Sequence, residues 1–317
     1  MKMLFELSGE HPTLPYAELE CVGRICDRRD RVAVAECPAP AATDRLALTH
    51  TVMEYLGECE PTADAVRALL ADLALTSDRP FAARVKIIPG SREYPSQLAL
   101  ERLIGYGIAG PVSLKAPETV YRAVLTEDRC YLGRVIYSDL RTSYESRSPS
   151  TRPYFHPGVM MPRTARALLN LSLVMPGEVM ADPFCGTGGM LEEGRRIGVR
   201  VVGSDFDRTM IAGSRLNVPE ADLLLADATA LPLRTGSVDA VVTDLPYGQS
   251  VCILGENFTR LYEGALDEIG RVLKAGRRAV VVTHRDIREI AAARFTIVQY
   301  HEQRVHKSLT RRILVLE

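Results

Sequence analysis

The sequence carries almost no net charge. Its 39 lysines and arginines stand against 40 aspartates and glutamates, for a formal charge of −1. A strongly basic chain would indicate a nucleic-acid partner, because phosphates are bound mainly by cations. Here any RNA-binding surface has to be local.

The cysteines show no spacing that is typical of a structural role. The seven cysteines are scattered, and none has the Cys-x-x-Cys spacing of zinc and redox sites. We therefore expect no metal and no disulfide framework. Cys185 lies in a glycine-rich turn, where we expect a small side chain that lines a pocket; a nucleophile is the less favoured alternative.

Long apolar runs are missing as well. No segment approaches the ~18 apolar residues of a membrane-spanning helix, and the start, Met1–Phe5, is a short strand-like run followed by polar residues. We expect a cytoplasmic protein without a signal peptide or a membrane partner. The 317 residues, of which 46% are hydrophobic, suffice for two or three domains with sizeable cores.

Three regions differ in their pattern. Residues 1–140 alternate short β-like and helix-like runs. Residues 141–157 are basic and rich in serine and proline, which is typical of a linker. Residues 158–317 alternate apolar strands with helical patterns, which predicts an α/β fold.

The last region predicts a doubly wound sheet. Continuous apolar runs, as parallel buried strands require, lie at 178–182, 200–204, 222–226, 239–243 and 278–283. The longest helical pattern covers 257–274, and two closing strands lie at 295–300 and 312–316. This order fits seven strands with an antiparallel final hairpin. A dinucleotide-binding dehydrogenase of the same fold class is the alternative.

A glycine-rich turn follows the first of these strands. The run from Asp182 to Gly189 reads strand, turn and helix, and its glycines let backbone N–H groups approach a ligand. Asp205, Asp227 and Asp244 close the next three strands, so we expect four acids along one edge of the sheet. Structural capping explains such a set poorly. The turn, Gly-Thr-Gly-Gly, also departs from the Gly-x-Gly-x-x-Gly of dinucleotide-binding proteins.

The last of these acids opens the corner Asp244-Leu245-Pro246-Tyr247. An exocyclic amine on a nucleobase is a poor nucleophile because its lone pair is delocalised into the ring. A carboxylate and a backbone carbonyl can each accept one N–H and leave the lone pair aimed at an incoming methyl group. We predict that Asp244 and the carbonyl of Leu245 or Pro246 are these acceptors, and that Tyr247 stacks on the base.

Together the two motifs resemble the amino-methyltransferases that use S-adenosylmethionine, whose acidic or amide residue is followed by Pro-Pro-Tyr. Leu245 stands in place of the first proline. The strings Arg152–Pro162 and Val305–Arg312 are similar to those of archaeal tRNA guanine-N2 methyltransferases acting at position 10. The resemblance implies a Rossmann-like class I methyltransferase domain over residues 158–317. It also implies transfer of one or two methyl groups to N2 of a guanine in tRNA.

The resemblance implies the site residues too. The catalytic residues would be Asp244, Pro246 and Tyr247. Those expected to bind S-adenosylmethionine are Asp182, Phe184, Cys185, Gly186, Thr187, Gly188, Asp205, Phe206, Asp227 and Ala228. Asp205 suits the ribose hydroxyls, and Asp227 suits the adenine amine.

In the N-terminal half, a helix capped by Ser96 precedes the string Val112–Glu118 and two strands. This resembles the THUMP domain of tRNA-modifying enzymes, here residues 51–140, after a ferredoxin-like domain over residues 1–50. We expect this region to measure the tRNA from a fixed end, because the methyl-transfer pocket cannot choose one position by itself. The cations expected to contact RNA are Lys86, Arg92, Lys115, Arg147, Arg152, Lys307 and Arg311.

Other functions remain open on this sequence alone. The same corner could serve adenine-N6 methylation, rRNA guanine-N2 methylation or another tRNA guanine, and a degenerate fold could bind RNA without catalysis. The full set of four acids argues against the last alternative. We expect tRNA as the partner and a monomer, with an accessory subunit left open.

Overall fold

The computed structural model describes residues 1–89, 96–138, 142–247, 256–306 and 309–317. The chain divides into an N-terminal unit, Met1–Asp44 with Leu48–Arg141, and a C-terminal unit, Arg45–Ala47 with Thr142–Glu317. Within the described ranges, no helix is long and apolar enough to cross a membrane.

One seven-stranded sheet organises the N-terminal unit. Its strands are β1 (Lys2–Leu7), β2 (Arg24–Arg29), β3 (Val32–Glu36), β4 (Thr49–Cys59), β5 (Phe81–Ile87), β6 (Thr119–Leu125) and β7 (Cys130–Ser138). Their order is β2-β3-β1-β4-β7-β6-β5, and β5 and β6 pair in parallel. The helices are α1 (Leu14–Glu18), α2 (Ala63–Leu73) and α3 (Gln97–Tyr106), with 3₁₀ turns at Leu19–Cys21 and Pro40–Arg45.

Strand β4 joins the two segments that the sequence separates at residue 50. It pairs with β1 on one side and with β7 on the other, so that one sheet crosses this boundary. The predicted helix is confirmed in α3, where the Ser96 hydroxyl accepts the N–H of Ala99 at 3.2 Å and Gly107 follows the last turn. The division into a ferredoxin-like and a THUMP part stays a prediction.

The C-terminal unit is built around a second seven-stranded sheet. Its strands are β8 (Val179–Asp182), β9 (Arg200–Asp205), β10 (Asp222–Leu225), β11 (Val238–Asp244), β12 (Leu273–Thr283), β13 (Ile297–His306) and β14 (Leu309–Leu316). Its helices are α4 (Thr142–Glu145), α5 (Pro162–Leu171), α6 (Gly189–Arg196), α7 (Arg208–Asn217), α8 (Glu256–Val272) and α9 (Arg288–Ala292), with a 3₁₀ turn at Pro149–Thr151.

The strand order of this sheet is β10-β9-β8-β11-β12-β14-β13. The first five strands in that order pair in parallel, and β14 then pairs antiparallel with both β12 and β13. The predicted doubly wound sheet with a closing antiparallel hairpin is confirmed. Residues such as Val241 and Val281 are fully buried because helices cover this sheet.

The boundary between α8 and β12 differs from the prediction. The helix ends at Val272, and the strand begins at Leu273 instead of residue 278. Pairing with β11 shifts register along this stretch, and Gly276 has a φ of +70° that a glycine adopts without strain. Apolar periodicity does not reveal such an irregular strand start.

Candidate active site at the carboxyl edge of the second sheet

The predicted row of acids lies along one edge of the second sheet. Parallel pairing places Asp182 opposite Gly203, Asp205 opposite Leu225, and Asp244 opposite Val282. Strands β8, β9 and β11 therefore end at the same edge, and Asp227 follows just after β10. This edge is where open α/β sheets bind their ligands.

The glycine turn needs its glycines for two different reasons. Gly186 and Gly188 have φ values of +51° and +85°, in the left-handed region that side chains disfavour. A Cβ on Gly188 would also stand 2.7 Å from the Ser214 hydroxyl, so packing forbids a larger residue. At Gly186 a Cβ would meet no atom of the described residues within 4 Å. Open space therefore lies over Gly186, where a ligand can approach the backbone.

Asp205 supports this turn from the neighbouring strand. Its Oδ2 accepts the N–H of Gly186 at 2.9 Å, and its Oδ1 accepts the N–H of Asp207 at 2.9 Å. Burial raises the pKa of Asp205, and these backbone hydrogen bonds oppose that rise. Each carboxylate oxygen keeps a second lone pair for a ligand hydroxyl.

Asp182 lies in the interior. Its Oδ1 accepts the hydroxyl of Thr243 at 2.7 Å and the N–H of Phe184 at 3.2 Å. Burial raises the pKa of Asp182 to about 7. The residue ties β8 to β11 and fixes the start of the turn, so its effect on a ligand is indirect.

The end of β10 is more open. Oδ1 of the exposed Asp227 accepts both the N–H and the hydroxyl of Thr229 at 2.8 Å, which leaves Oδ2 available. Phe206, directly after Asp205, exposes 82% of its surface, whereas Ala228 is buried. An exposed aromatic ring beside a carboxylate suits a ligand with a flat apolar face and polar edges.

Cys185 is buried in the turn, and burial raises the pKa of its thiol. A protonated thiol is a poor nucleophile, which favours the packing interpretation. Among the side chains that the structure describes, no cluster of histidine, cysteine, aspartate and glutamate could hold a metal ion.

The structure explains leucine at position 245. Its side chain is buried in the core, and its N–H donates to the carbonyl of Val282 at 2.9 Å. A proline could not make this hydrogen bond. The next carbonyl, that of Pro246, accepts the hydroxyl of the buried Tyr262 at 2.8 Å. The corner is thus held from the core side.

Asp244 and Tyr247 form a hydrogen-bonded pair. The Tyr247 hydroxyl donates to Oδ1 of Asp244 at 2.7 Å, and the Tyr247 ring packs against His284, with centroids 5.0 Å apart. Burial raises the pKa of Asp244 to about 6, while the Tyr247 hydrogen bond and the charge of Arg311 both oppose this rise. Oδ2 of Asp244 has no hydrogen-bond partner in the described part of the chain.

Arg311 reaches this corner through topology. Strand β14 runs antiparallel to β12, so its first residues lie where β11 and β12 end; Arg312 pairs with Thr283. Nε of Arg311 is buried and has no hydrogen-bond partner among the described residues. Sequence spacing could not place Arg311 or His284 at this corner. Arg311 lies on β14 and His284 follows β12, whereas the corner itself follows β11.

The remaining predicted RNA contacts have different surroundings. Lys86 and Lys115 are exposed on the N-terminal unit. Arg147 donates to both oxygens of the fully buried Glu193 at 2.8 and 2.9 Å. The terminal nitrogens of Arg152 are buried and without a partner among the described residues. Arg92 and Lys307 lie outside the described residues.

A polar clamp behind the turn was not predicted from the sequence. The side-chain carbonyl of Asn217 accepts the N–H of Tyr154 at 2.9 Å, and its amide nitrogen donates to the carbonyls of Tyr154 and Thr187, each at 2.9 Å. A lone asparagine at the end of a helix gives no signal of this role. The clamp holds the segment around Tyr154 against the glycine turn.

Comparisons with known proteins agree with this geometry. Residues 149–313 match the family described as the RMKL-like methyltransferase domain (UPF0020). The tRNA (guanine(10)-N2)-dimethyltransferase of Methanothermobacter thermautotrophicus is 35% identical, over 100% of this chain and 99% of that protein. The enzyme of the same name from Methanocaldococcus jannaschii is 30% identical, over 85% of this chain and 88% of that protein.

Among solved structures, TrmN from Thermus thermophilus matches 100% of this chain and 99% of its own, with a TM-score of 0.55 and 21% identity, which is a likeness of fold. The identity to the two full-length relatives is high enough to assign ancestry. This chain therefore belongs to the family of the archaeal tRNA (guanine(10)-N2)-dimethyltransferases, which is built on the RMKL-like methyltransferase domain.

Proposed function

We propose that this protein transfers one or two methyl groups from S-adenosylmethionine to the exocyclic N2 of guanine 10 in tRNA, in the cytoplasm. The observation that carries the proposal is the hydrogen bonding of the two carboxylate oxygens of Asp244. One of its oxygens is held by Tyr247 and the other is left for an amine, at the same sheet edge as an open glycine turn. The two full-length relatives bear the name of this reaction.

The residues along the edge fit the cofactor. Open space over Gly186 admits a ligand against the backbone, Asp205 retains lone pairs for the ribose hydroxyls, and Asp227 presents a free oxygen to the adenine amine. The exposed ring of Phe206 offers a face for the adenine. When bound, S-adenosylmethionine supplies an electrophilic methyl group on a sulfonium.

The corner prepares the target amine. Oδ2 of Asp244 accepts one N–H, and the carbonyl of Leu245 is the better candidate for the second, because Tyr262 already occupies the carbonyl of Pro246. With a pKa of about 6, Asp244 is ionised at neutral pH and accepts without a proton of its own. The two acceptors turn the nitrogen lone pair toward the methyl group, which is a gain in orientation.

Tyr247 has two tasks in this proposal. Its hydroxyl fixes the rotation of the Asp244 carboxylate, and its ring, backed by His284, provides a surface for the guanine. The base must leave its stack to reach this pocket. We assign the choice of position 10 to the N-terminal unit, on which Lys86 and Lys115 are exposed.

The test is methylation of tRNA by the purified full-length chain. Bulk tRNA with labelled S-adenosylmethionine, digested and analysed by mass spectrometry, is expected to contain N2-methylguanosine or N2,N2-dimethylguanosine. A transcript with adenine at position 10 is expected to accept no label. Label in N6-methyladenosine, label at another position or no transfer at all would each overturn the proposal.

The matched control is Asp244→Ala. It is expected to bind S-adenosylmethionine with nearly unchanged affinity while methyl transfer collapses, because the lost acceptor acts on the amine. A variant that keeps more than about a tenth of the wild-type rate at saturating substrates would remove Asp244 from its role.

A further inference from the structure

Arg152 is a buried cation with unmet hydrogen-bonding capacity. Both of its terminal nitrogens are shielded from solvent and find no partner within the described ranges. Burial lowers the pKa of Arg152. A guanidinium stripped of water is costly unless an anion replaces the lost hydrogen bonds.

The arginines near Arg152 differ from it because they have carboxylate partners. Four other arginines have carboxylate partners: Arg147 and Arg166 at Glu193, Arg195 and Arg196 at Glu192. Four arginines therefore share two glutamates in this part of the C-terminal unit. Arg195 also approaches Glu220. Among these four arginines and Arg152, and within the described residues, Arg152 is the one whose terminal nitrogens have no carboxylate at hydrogen-bonding distance, although the charges of Glu192 and Glu193 act on it.

Its position is fixed against the glycine turn. A Cβ on Gly189, the first residue of α6, would stand 3.7 Å from Nη1 of Arg152. The Asn217 amide binds the backbone of Tyr154, two residues along, and also the carbonyl of Thr187 in the turn. The Thr187 hydroxyl is itself buried without a partner among the described residues. The Thr187 hydroxyl and the terminal nitrogens of Arg152 are therefore buried donors near this turn that lack hydrogen-bond partners among the described residues.

We propose that Arg152 binds the α-carboxylate of S-adenosylmethionine. The inference rests on the proposed function and extends the cofactor site by a residue that the sequence predicts to contact RNA. A carboxylate matches the planar pair of terminal nitrogens of an arginine, which can donate two parallel hydrogen bonds. The N-terminal end of α6, which has Gly188 as its N-cap and no side-chain cap, favours negative charge at the same place.

Burial argues against the RNA role. A phosphate of a folded tRNA is bulky and remains attached to its chain, whereas Nη1 and Nη2 of Arg152 lie beneath the protein surface. A carboxylate on a small ligand is less bulky and is not part of a folded chain, so it suits a buried arginine better than a phosphate of tRNA does. Arg152 is thereby separated in role from exposed cations such as Lys115.

The test compares three ligands by calorimetry: S-adenosylhomocysteine, its decarboxylated analogue, and methylthioadenosine, which lacks the whole amino-acid part. The wild-type protein is expected to bind S-adenosylhomocysteine at least tenfold more tightly than the decarboxylated analogue. Arg152→Met is expected to bring this ratio close to one and to leave methylthioadenosine affinity unchanged. Arg152→Lys should recover part of the ratio, because it keeps the charge without the planar pair of donors.

Asp205→Ala is the control variant. It is expected to weaken all three ligands and to keep the carboxylate preference, because its target is the ribose. If the wild-type protein binds the analogue as tightly as S-adenosylhomocysteine, the inference is overturned whether or not Arg152→Met folds. It is equally overturned if folded Arg152→Met keeps the full preference. If none of the three ligands binds the wild-type protein, it is the proposed function that fails.

Discussion

The hydroxyl of Tyr247 donates to Oδ1 of Asp244 at 2.7 Å, so a residue of the corner motif binds the motif's own acid. The pair spans three positions, which the turn at Pro246 brings together. The consequence is a carboxylate with one oxygen fixed and one available. Substitutions and pH changes that act on either oxygen should therefore change methyl transfer in distinguishable ways.

Methyl transfer should depend on pH through Asp244. Its carboxyl has a raised pKa of about 6, so lowering the pH through that value protonates the acceptor and the rate should fall. Arg311 opposes the raised value, and Arg311→Met should therefore move the acid limb to higher pH. Single-turnover rates from pH 5 to 8.5 measure this. An unmoved limb in Arg311→Met would show that Arg311 does not act on Asp244.

Tyr247→Phe should separate the hydroxyl from the ring. Loss of a hydrogen bond to a charged group, worth about 1.5–3 kcal/mol, corresponds to a fall in kcat of roughly ten- to a hundredfold. The affinity for S-adenosylmethionine should not change, and the ring should still pack on His284. Tyr247→Ala should lose more. Equal losses in the two variants would mean that the hydroxyl alone matters and that the ring contributes nothing; an unchanged kcat in Tyr247→Phe would mean that the hydroxyl has no role.

Leu245→Pro, which restores the usual proline of the motif, should destabilise this protein. It removes the N–H donated to Val282 and replaces a side chain that is 1% exposed. We expect the free energy of unfolding to fall by about 1–3 kcal/mol, as measured by denaturant titration. Leu245→Met, which keeps both features, should cost less than about 1.5 kcal/mol. An unchanged stability in Leu245→Pro would contradict the explanation given for this leucine.

Charge reversal on the N-terminal unit should weaken tRNA binding without touching the chemistry. Lys86→Glu and Lys115→Glu should raise the KM for tRNA, leave kcat nearly intact and flatten the salt dependence of binding, because fewer counterions are released when a phosphate contact is lost. Binding of S-adenosylmethionine is the control. Variants with an unchanged salt slope would show that these lysines do not contact phosphate.

Much of the fold follows from the sequence. Buried parallel strands read as apolar runs, and acids at their ends mark the edge, so Asp205 and Asp244 could be placed before any coordinates. The sequence could not show that Asp182 faces the interior, because a strand-end acid looks the same whether it bonds Thr243 or a ligand. Long-range partners such as Asn217 and Tyr154 depend on helix packing that no local pattern encodes.

Arg147, in the predicted linker, shows a second limit of prediction from sequence. A basic stretch with serine and proline predicts a linker, yet Arg147 donates to the buried Glu193, which lies 46 positions away. Composition reports what a segment tends to do in water. It does not report a buried counter-charge supplied by a distant helix.

Arg45 lies within the N-terminal part of the sequence but not within the N-terminal unit of the structure. It belongs to the C-terminal unit, where it donates to the Asn170 side chain at 2.8 Å and to the carbonyl of Val174 at 2.9 Å, 125 and 129 positions away. Asn170, fully buried, donates back to the Arg45 carbonyl. A cut or recombination after residue 141 would leave these groups without their partners. We therefore expect the segment from residue 142 onward to be less stable alone than in the full chain, because it lacks Arg45.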